Sequence, residues 1–74
     1  MPKPQLDFMN TVENAGYRWG QKHLHSPNSA MIAASKPWVR KAETLADKIQ
    51  TERDFVRGAV CARVVSQVLS ERAA

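Results

Sequence analysis

Two histidines and one cysteine are the residues of this chain best suited to metal binding or nucleophilic catalysis. His23 and His25 stand two positions apart in the stretch HLH, and Cys61 stands far from both. Zinc needs four protein ligands, or three and a water molecule, and these three residues match no recognised spacing. Cys61 lies among valines, as a small buried hydrophobic residue does, with no acid–base partner nearby. We therefore expect no metal, no cofactor and no thiol nucleophile.

The acidic residues do not suggest an enzyme either. There are seven of them among 74 residues, and they fall mainly on the polar faces of expected helices. None forms an obvious pair for general acid–base work. The sequence thus predicts a protein without enzymatic activity.

Size and composition limit how the chain can be stable. A chain of 74 residues with a single cysteine is at most one small domain and has no internal disulfide. Chains this short usually need a disulfide, a metal, very good helix packing or self-association. With no disulfide and no metal expected, packing and association remain.

Localisation is expected to be cytoplasmic. The longest purely apolar run, residues 30–34, is far shorter than a membrane span, and the opening MPKPQLDFMN has no apolar signal core. One unpaired cysteine also fits a reducing compartment.

The first segment predicts an amphipathic helix over residues 5–24, with Pro4 in its first turn. One side of its helical wheel carries the apolar and small residues Phe8, Met9, Val12, Ala15, Gly16, Trp19, Gly20 and His23. The other side carries Asp7, Asn10, Asn14, Arg18 and Gln21.

Two proline signals divide the middle of the chain. Ser26 before Pro27 predicts a cap and a short helical turn over residues 27–34, and Pro37 predicts the start of a second helix over residues 37–50. That helix has an apolar stripe made of Trp38, Val39, Ala42, Leu45, Ala46 and Ile49.

The end of the chain predicts a third helix over residues 52–71. Thr51 and Asp54 form a weak capping signal, but no glycine or proline enforces a break there. One helix over residues 37–71 is the alternative. The expected fold is therefore all-α, a three-helix bundle with an extra helical turn, and with a long C-terminal helix as a variant.

The expected core combines the larger apolar residues of the three stripes. Its members are Phe8, Val12, Trp19, Trp38, Leu45, Ile49, Phe55 and Leu69. Gly16 and Gly20, and likewise Gly58 and Ala62, stand four apart and remove side chains where two helices can approach closely. The alternative is that a loosely packed helix tolerates the glycines.

The third helix has a second apolar stripe, roughly opposite the first. Val56, Val60, Val64 and Val68 recur every four residues, with Arg53, Arg57 and Glu71 along the border. A helix that is apolar on two faces is either central in its fold or shared with a partner. The segment with Met31 and Ile32 folding back over the valines is the first possibility, and dimerisation or partner binding is the second.

Nucleic-acid binding is the alternative function. Four cations cluster on the second helix and just before it: Lys36, Arg40, Lys41 and Lys48. Glu43 and Asp47 interrupt this patch, and no helix-turn-helix spacing, zinc-finger ligand set or aromatic RNA-binding signature is present. The net charge of +4 permits such contacts without requiring them.

The sequence thus predicts a small regulatory protein that acts by protein–protein interaction. It would be an adaptor, or an antiactivator or inhibitor of a transcription regulator, and a structural homodimer subunit is a further alternative. We expect the interface to consist of the four valines with Arg57, Arg63 and Gln67 at its rim. The expected partners are another protein or a second copy of the chain, and no membrane.

Overall fold

The computed structural model of the chain describes residues 10–73, and its helices confirm the all-α prediction. Three helices make up this part of the chain: α1 at Thr11–Lys22, α2 at Asn28–Val39 and α3 at Leu45–Ala73. Within the described residues no strand occurs. The predicted helical start near residue 5, with Pro4, Phe8 and Met9, lies outside them.

The start of α1 is fixed by a capping box. The Asn10 side chain accepts a hydrogen bond from the Glu13 amide at 2.9 Å, and the Glu13 carboxylate accepts one from the Asn10 amide at 3.3 Å. The Asn10 backbone is extended, so α1 begins at Thr11. Asn10 also donates to the carboxylate of Asp54 at 3.2 Å, which ties the start of α1 to α3.

The helix boundaries predicted from the two prolines of the middle segment differ from those in the structure. Pro27 is the N-cap of α2 rather than its first residue, and Ser26 is not the cap. Pro37 lies inside α2, which merges the predicted turn with the start of the predicted second helix. Pro37 has no N–H to donate to the carbonyl oxygen of Ala33, and α2 ends two residues after it.

The second and third predicted helices are also divided at the wrong place. Residues 40–44 form the connection, and α3 then runs without a break from Leu45 through Thr51 to Ala73. Thr44 accepts a hydrogen bond from the Asp47 amide at 3.1 Å and so caps α3, as Thr51 was predicted to do. The alternative of a long C-terminal helix is therefore correct, with a later start than residue 37.

The ammonium group of Lys48 donates hydrogen bonds to carbonyl groups at and just after the end of α2. It donates to the carbonyl oxygen of Ala42 at 2.7 Å and lies 3.4 Å from that of Val39. Carbonyl groups at the end of a helix lack intrahelical donors, and a lysine near that end is a common way to satisfy them. This contact fixes the connection to the first turns of α3.

The three helices run up, down and up. Gly16 lies against Phe55 and Gly20 against Ala59, so α1 and α3 run in the same direction. Arg63 of α3 reaches back to Ser26 and Asn28 at the start of α2, which therefore runs the opposite way. Contacts of α1 and α2 are mainly with α3, and the two meet each other little.

Glycines allow α1 and α3 to approach closely, as the sequence predicts. A Cβ on Gly58 would lie 2.8 Å from the backbone nitrogen of Tyr17 and would overlap the carbonyl oxygen of Glu13. A Cβ on Gly20 would lie 2.7 Å from the carbonyl oxygen of Ala59. Real Cβ atoms do not approach backbone that closely, so a side chain at either position would require the two helices to move apart.

Within residues 10–73 the core is smaller than predicted. Its buried apolar members are Met31, Phe55, Ala59 and Ala62. Trp19 and Trp38 are half-buried, and Trp19 stacks on His23 with ring centroids 4.6 Å apart.

Several residues that were predicted to be buried are exposed, and one that was predicted to be exposed is buried. Leu45, Ile49 and Leu69, expected in the core, are exposed. Asn14, expected on the polar side of α1, is buried and donates to the carbonyl oxygen of Asn10 at 3.2 Å. The predicted stripe failed because the helix ends at Val39, which leaves Leu45 and Ile49 on a different helix from Trp38.

Candidate protein-interaction surface

The four valines Val56, Val60, Val64 and Val68, here called the valine face, are not enclosed by the rest of the chain. Val60 is 45% exposed, Val64 54% and Val68 41%, while Val56 is half-buried. They lie on one continuous helix of 29 residues, so their spacing of four places them in a gently drifting row along it.

The segment with Met31 covers only one end of the valine face. Met31 is buried between α2 and α3, and Ile32 beside it stays 38% exposed. Both residues border a groove that Val56 and Val60 line from the other side. The fold-back expected from the sequence does occur, but the side chains from Val60 onward remain exposed.

Two further large apolar side chains extend this surface toward the start of α3. Leu45 and Ile49 are both exposed, and they line a shallow depression with Val39 and Arg53. On an α-helix, residues 45, 49, 56 and 60 point within about 60° of one another. Leu45 and Ile49 thus belong with the valine face rather than with the core, a grouping that becomes visible once α3 is known to be continuous.

The predicted rim residues have different surroundings. Arg57 is exposed beside Val56 and Val60, and Gln67 is exposed, with its amide nitrogen 3.4 Å from the carboxylate of Glu71. Both remain available at the edge of the valine face.

Arg63 is engaged within the chain. Its guanidinium donates to the carbonyl oxygen of Ser26 and lies 3.4 Å from the side-chain oxygen of Asn28. It holds the α1–α2 connection against α3, so it contributes to the fold.

The predicted nucleic-acid cluster is only partly free. Lys36 and Arg40 are exposed near the end of α2, and Lys41 lies over the Trp38 ring at 4.8 Å from its centroid. Lys48 donates to backbone carbonyls at that same end. Two of the four cations thus have partners within the chain, and the remaining two form a small patch.

Residues suited to chemistry do not converge in the described part of the chain. In residues 10–73 no group of three or more histidine, cysteine or acidic side chains is arranged to hold a metal ion. Cys61 is a free, half-buried thiol at the edge of the valine face.

An open groove lies where α1, α2 and α3 meet. Trp19, Trp38, Phe55 and Arg18 are among the residues that line it. Three aromatic residues and two alanines line most of it, and its polar members are Thr11, Asn14 and Arg18.

None of the three helices in residues 10–73 combines the length and the apolarity that crossing a bilayer requires. In comparisons with family models, curated proteins and solved structures, the chain has no significant match.

The sequence predicts the valine face, but the alignment of Arg53 and Glu71 at its two ends is visible only in the structure. Arg53 and Glu71 are both exposed, and they stand eighteen residues apart on the same helix. Eighteen residues make about five full helical turns, so the two opposite charges point in the same direction. The signal is present in the sequence, but it can be read only when the helix is known to be unbroken from one residue to the other.

Proposed function

We propose that this chain is a non-enzymatic regulatory protein that acts by binding another protein molecule through the valine face. The observation that carries the proposal is the exposure of Val60, Val64 and Val68 along one helix of an otherwise folded chain. Contiguous apolar surface of this kind marks interaction sites in proteins of this size.

The energetic scale supports the proposal. Full burial of a valine side chain contributes about 1.5 kcal/mol or more. Because Val60, Val64 and Val68 are already about half buried, covering what remains exposed contributes roughly 2 kcal/mol in total. Leu45 and Ile49, exposed on the same side of α3, add to the apolar area that a partner would cover. Such a surface favours association over a solvated monomer.

The geometry favours recognition by a helix. The valine face lies on a helix of 29 residues whose other side is held by α1 and α2. A rigid, amphipathic helix face of this type packs against a partner helix or into an apolar groove. An adaptor, or an antiactivator that covers a surface on a transcription regulator, is the form of regulation that we propose for it.

Nucleic-acid binding is the weaker alternative. Lys48 and Lys41 have partners within the chain, and only Lys36 and Arg40 of the predicted cluster are free. Two exposed cations supply too few phosphate contacts for more than weak, salt-sensitive binding.

Site-specific photocrosslinking in living cells tests the proposal. A photoreactive amino acid replaces Val64 in one strain and Lys22, an exposed residue of α1, in a matched control. We expect the probe at 64 to give a discrete adduct, identified by mass spectrometry, that the probe at 22 does not give.

A second substitution makes this test specific for the surface. Val60→Glu, introduced together with the probe at 64, places a charge in the middle of the valine face and should abolish the adduct. A folded, expressed protein whose probe at 64 crosslinks to nothing, or crosslinks equally well with Val60→Glu present, would refute the proposed function.

A further inference from the structure

We infer that the occupant of the valine face is a second copy of this chain, with the two α3 helices packed antiparallel about a two-fold axis level with residue 62. This inference rests on the proposed function, because it names the partner for the same surface. It is carried by a symmetry in the placement of the valines and of two opposite charges.

The valines are symmetric about that level of the helix. Val60 and Val64 lie two residues on either side of position 62, and Val56 and Val68 lie six residues on either side. In a two-fold antiparallel pair each residue faces the one at the same distance beyond the axis. Val60 therefore lies level with Val64 of the second copy, and Val56 lies level with Val68, so each valine has a valine at the same height along the pair.

The charges show the same symmetry with opposite signs. Arg53 and Glu71 lie nine residues on either side of position 62, and both are exposed. They point in the same direction from the helix axis, along the middle of the valine face, since they are about five full turns apart. In an antiparallel pair Arg53 of one chain meets Glu71 of the other, twice per dimer. This is the charge complementarity that a self-complementary interface requires.

Registers shifted by one turn fit less well. With the axis level with residue 64, Val56 would face Arg72 of the second copy and Val64 would face itself, while Arg57 would take the place of Arg53 opposite Glu71. With the axis level with residue 60, Ile49 would face Glu71. Each shift buries an apolar side chain against a charged one, which costs free energy without a compensating contact.

The dimensions are adequate for such a pair. The stretch from Arg53 to Glu71 extends about 27 Å along the helix, at about 1.5 Å per residue. Ile32 is exposed at its margin and enlarges the contact beyond the valines. Cys61 lies next to the proposed axis, which brings the two thiols to the same side of the pair.

Reciprocal charge reversal tests both the partner and the register. Arg53→Glu places glutamate opposite Glu71, and Glu71→Arg places arginine opposite Arg53, so each variant alone should self-associate about tenfold more weakly at low salt. An equimolar mixture of the two variants restores both attractive pairs. The mixture should form a heterodimer with wild-type affinity, as should the double variant with itself.

Two controls separate this register from other effects. Arg18→Glu makes the same change in net charge on α1, away from the valine face, and should leave self-association unchanged. Arg57→Glu mixed with Glu71→Arg tests the register shifted toward residue 64. Sedimentation equilibrium gives the affinity of each homodimer, and native mass spectrometry resolves the heterodimer from both homodimers.

The outcomes are distinct. Weakening by each reversal and rescue in the mixture establish the second copy and the register. Rescue by the Arg57→Glu mixture instead overturns the register. A wild-type chain that remains monomeric at about 0.1 mM overturns the second copy altogether. In that case the crosslinking experiment still tests the proposed function: an adduct at position 64 then contains a different protein, and the absence of an adduct refutes the proposed function.

Discussion

At the scale of single residues, three glycines determine how closely α1 and α3 approach each other. Gly16 and Gly20 of α1 and Gly58 of α3 each face backbone of the opposite helix at distances that leave no room for a Cβ. A glycine in a helix interior costs about 0.5–1 kcal/mol relative to alanine, and close backbone packing offsets that cost here.

Gly58→Ala is expected to destabilise the fold by about 2 kcal/mol or more, because the added methyl group would overlap the carbonyl oxygen of Glu13. Backbone cannot rotate away as a flexible side chain can. The urea midpoint of unfolding, measured by circular dichroism at one fixed chain concentration, gives the change.

The sign of the effect makes this test decisive. If the site were open, alanine would stabilise α3 by up to about 1 kcal/mol through its higher helix propensity. Ser70→Ala, at an exposed position of the same helix, is the control and should change the stability by less than about 0.5 kcal/mol. A stabilising Gly58→Ala would show that the helices do not approach as described.

The close approach at the glycines was predictable from sequence, whereas the burial of Asn14 was not. Glycines four apart on an apolar face indicate packing because nothing else offsets their cost. A buried asparagine is acceptable only when its hydrogen bonds are satisfied, as that of Asn14 to the Asn10 carbonyl is. That bond depends on the capping geometry at Asn10, which apolar periodicity does not reveal.

At the scale of elements, the unbroken α3 is the feature that most changes the interpretation of the sequence. Its start at Leu45 is set by Thr44, and Thr51 lies well inside it. Both threonines are followed three residues later by aspartate, so local sequence alone does not show which of the two caps the helix. The Lys48 contacts with the end of α2 fix the earlier one.

Paired substitutions of the two threonines test the boundary. Thr44→Ala removes the acceptor for the Asp47 amide and should cost about 1 kcal/mol of unfolding free energy. Thr51→Ala lies in the helix interior and should be neutral or slightly stabilising, because alanine has the higher helix propensity.

Urea denaturation of the two variants at one chain concentration makes the comparison. If Thr51→Ala were the costly change and Thr44→Ala the neutral one, the helix would begin near residue 52 and the valine face would lose its continuity with Leu45 and Ile49.

The presence of helices was predictable throughout the described chain, but the residues at which they begin and end were not. Apolar residues at helical spacing identify a helix but continue across a connection, as they do from Trp38 to Leu45. Pro37 was expected to begin a helix, but it lies in the last turn of one. The end of α2 depends on contacts of Lys48 with carbonyl groups six and nine residues earlier, and such contacts follow from the fold.

At the scale of the whole molecule, the chain is a small helical protein with a modest core and a long apolar row outside it. In residues 10–73 the buried apolar residues are Met31, Phe55 and two alanines, whereas Leu45 and Val64 remain exposed. The sequence predicted the surplus of apolar surface, because a third helix with two apolar faces exceeds what two short helices can cover. Only the structure shows that α2 covers one end of it and leaves the rest.

Sedimentation equilibrium of the wild-type chain and of Val64→Glu, with circular dichroism of each, tests the central claim most directly. The wild-type chain should associate, whereas Val64→Glu should be monomeric with its helix content kept, because that side chain is 54% exposed before association. Ser70→Glu, off the valine face on the same helix, should associate as the wild type does. Loss of the folded state in Val64→Glu, or association that survives the substitution unchanged, would contradict the claim that the valine face is where this protein binds.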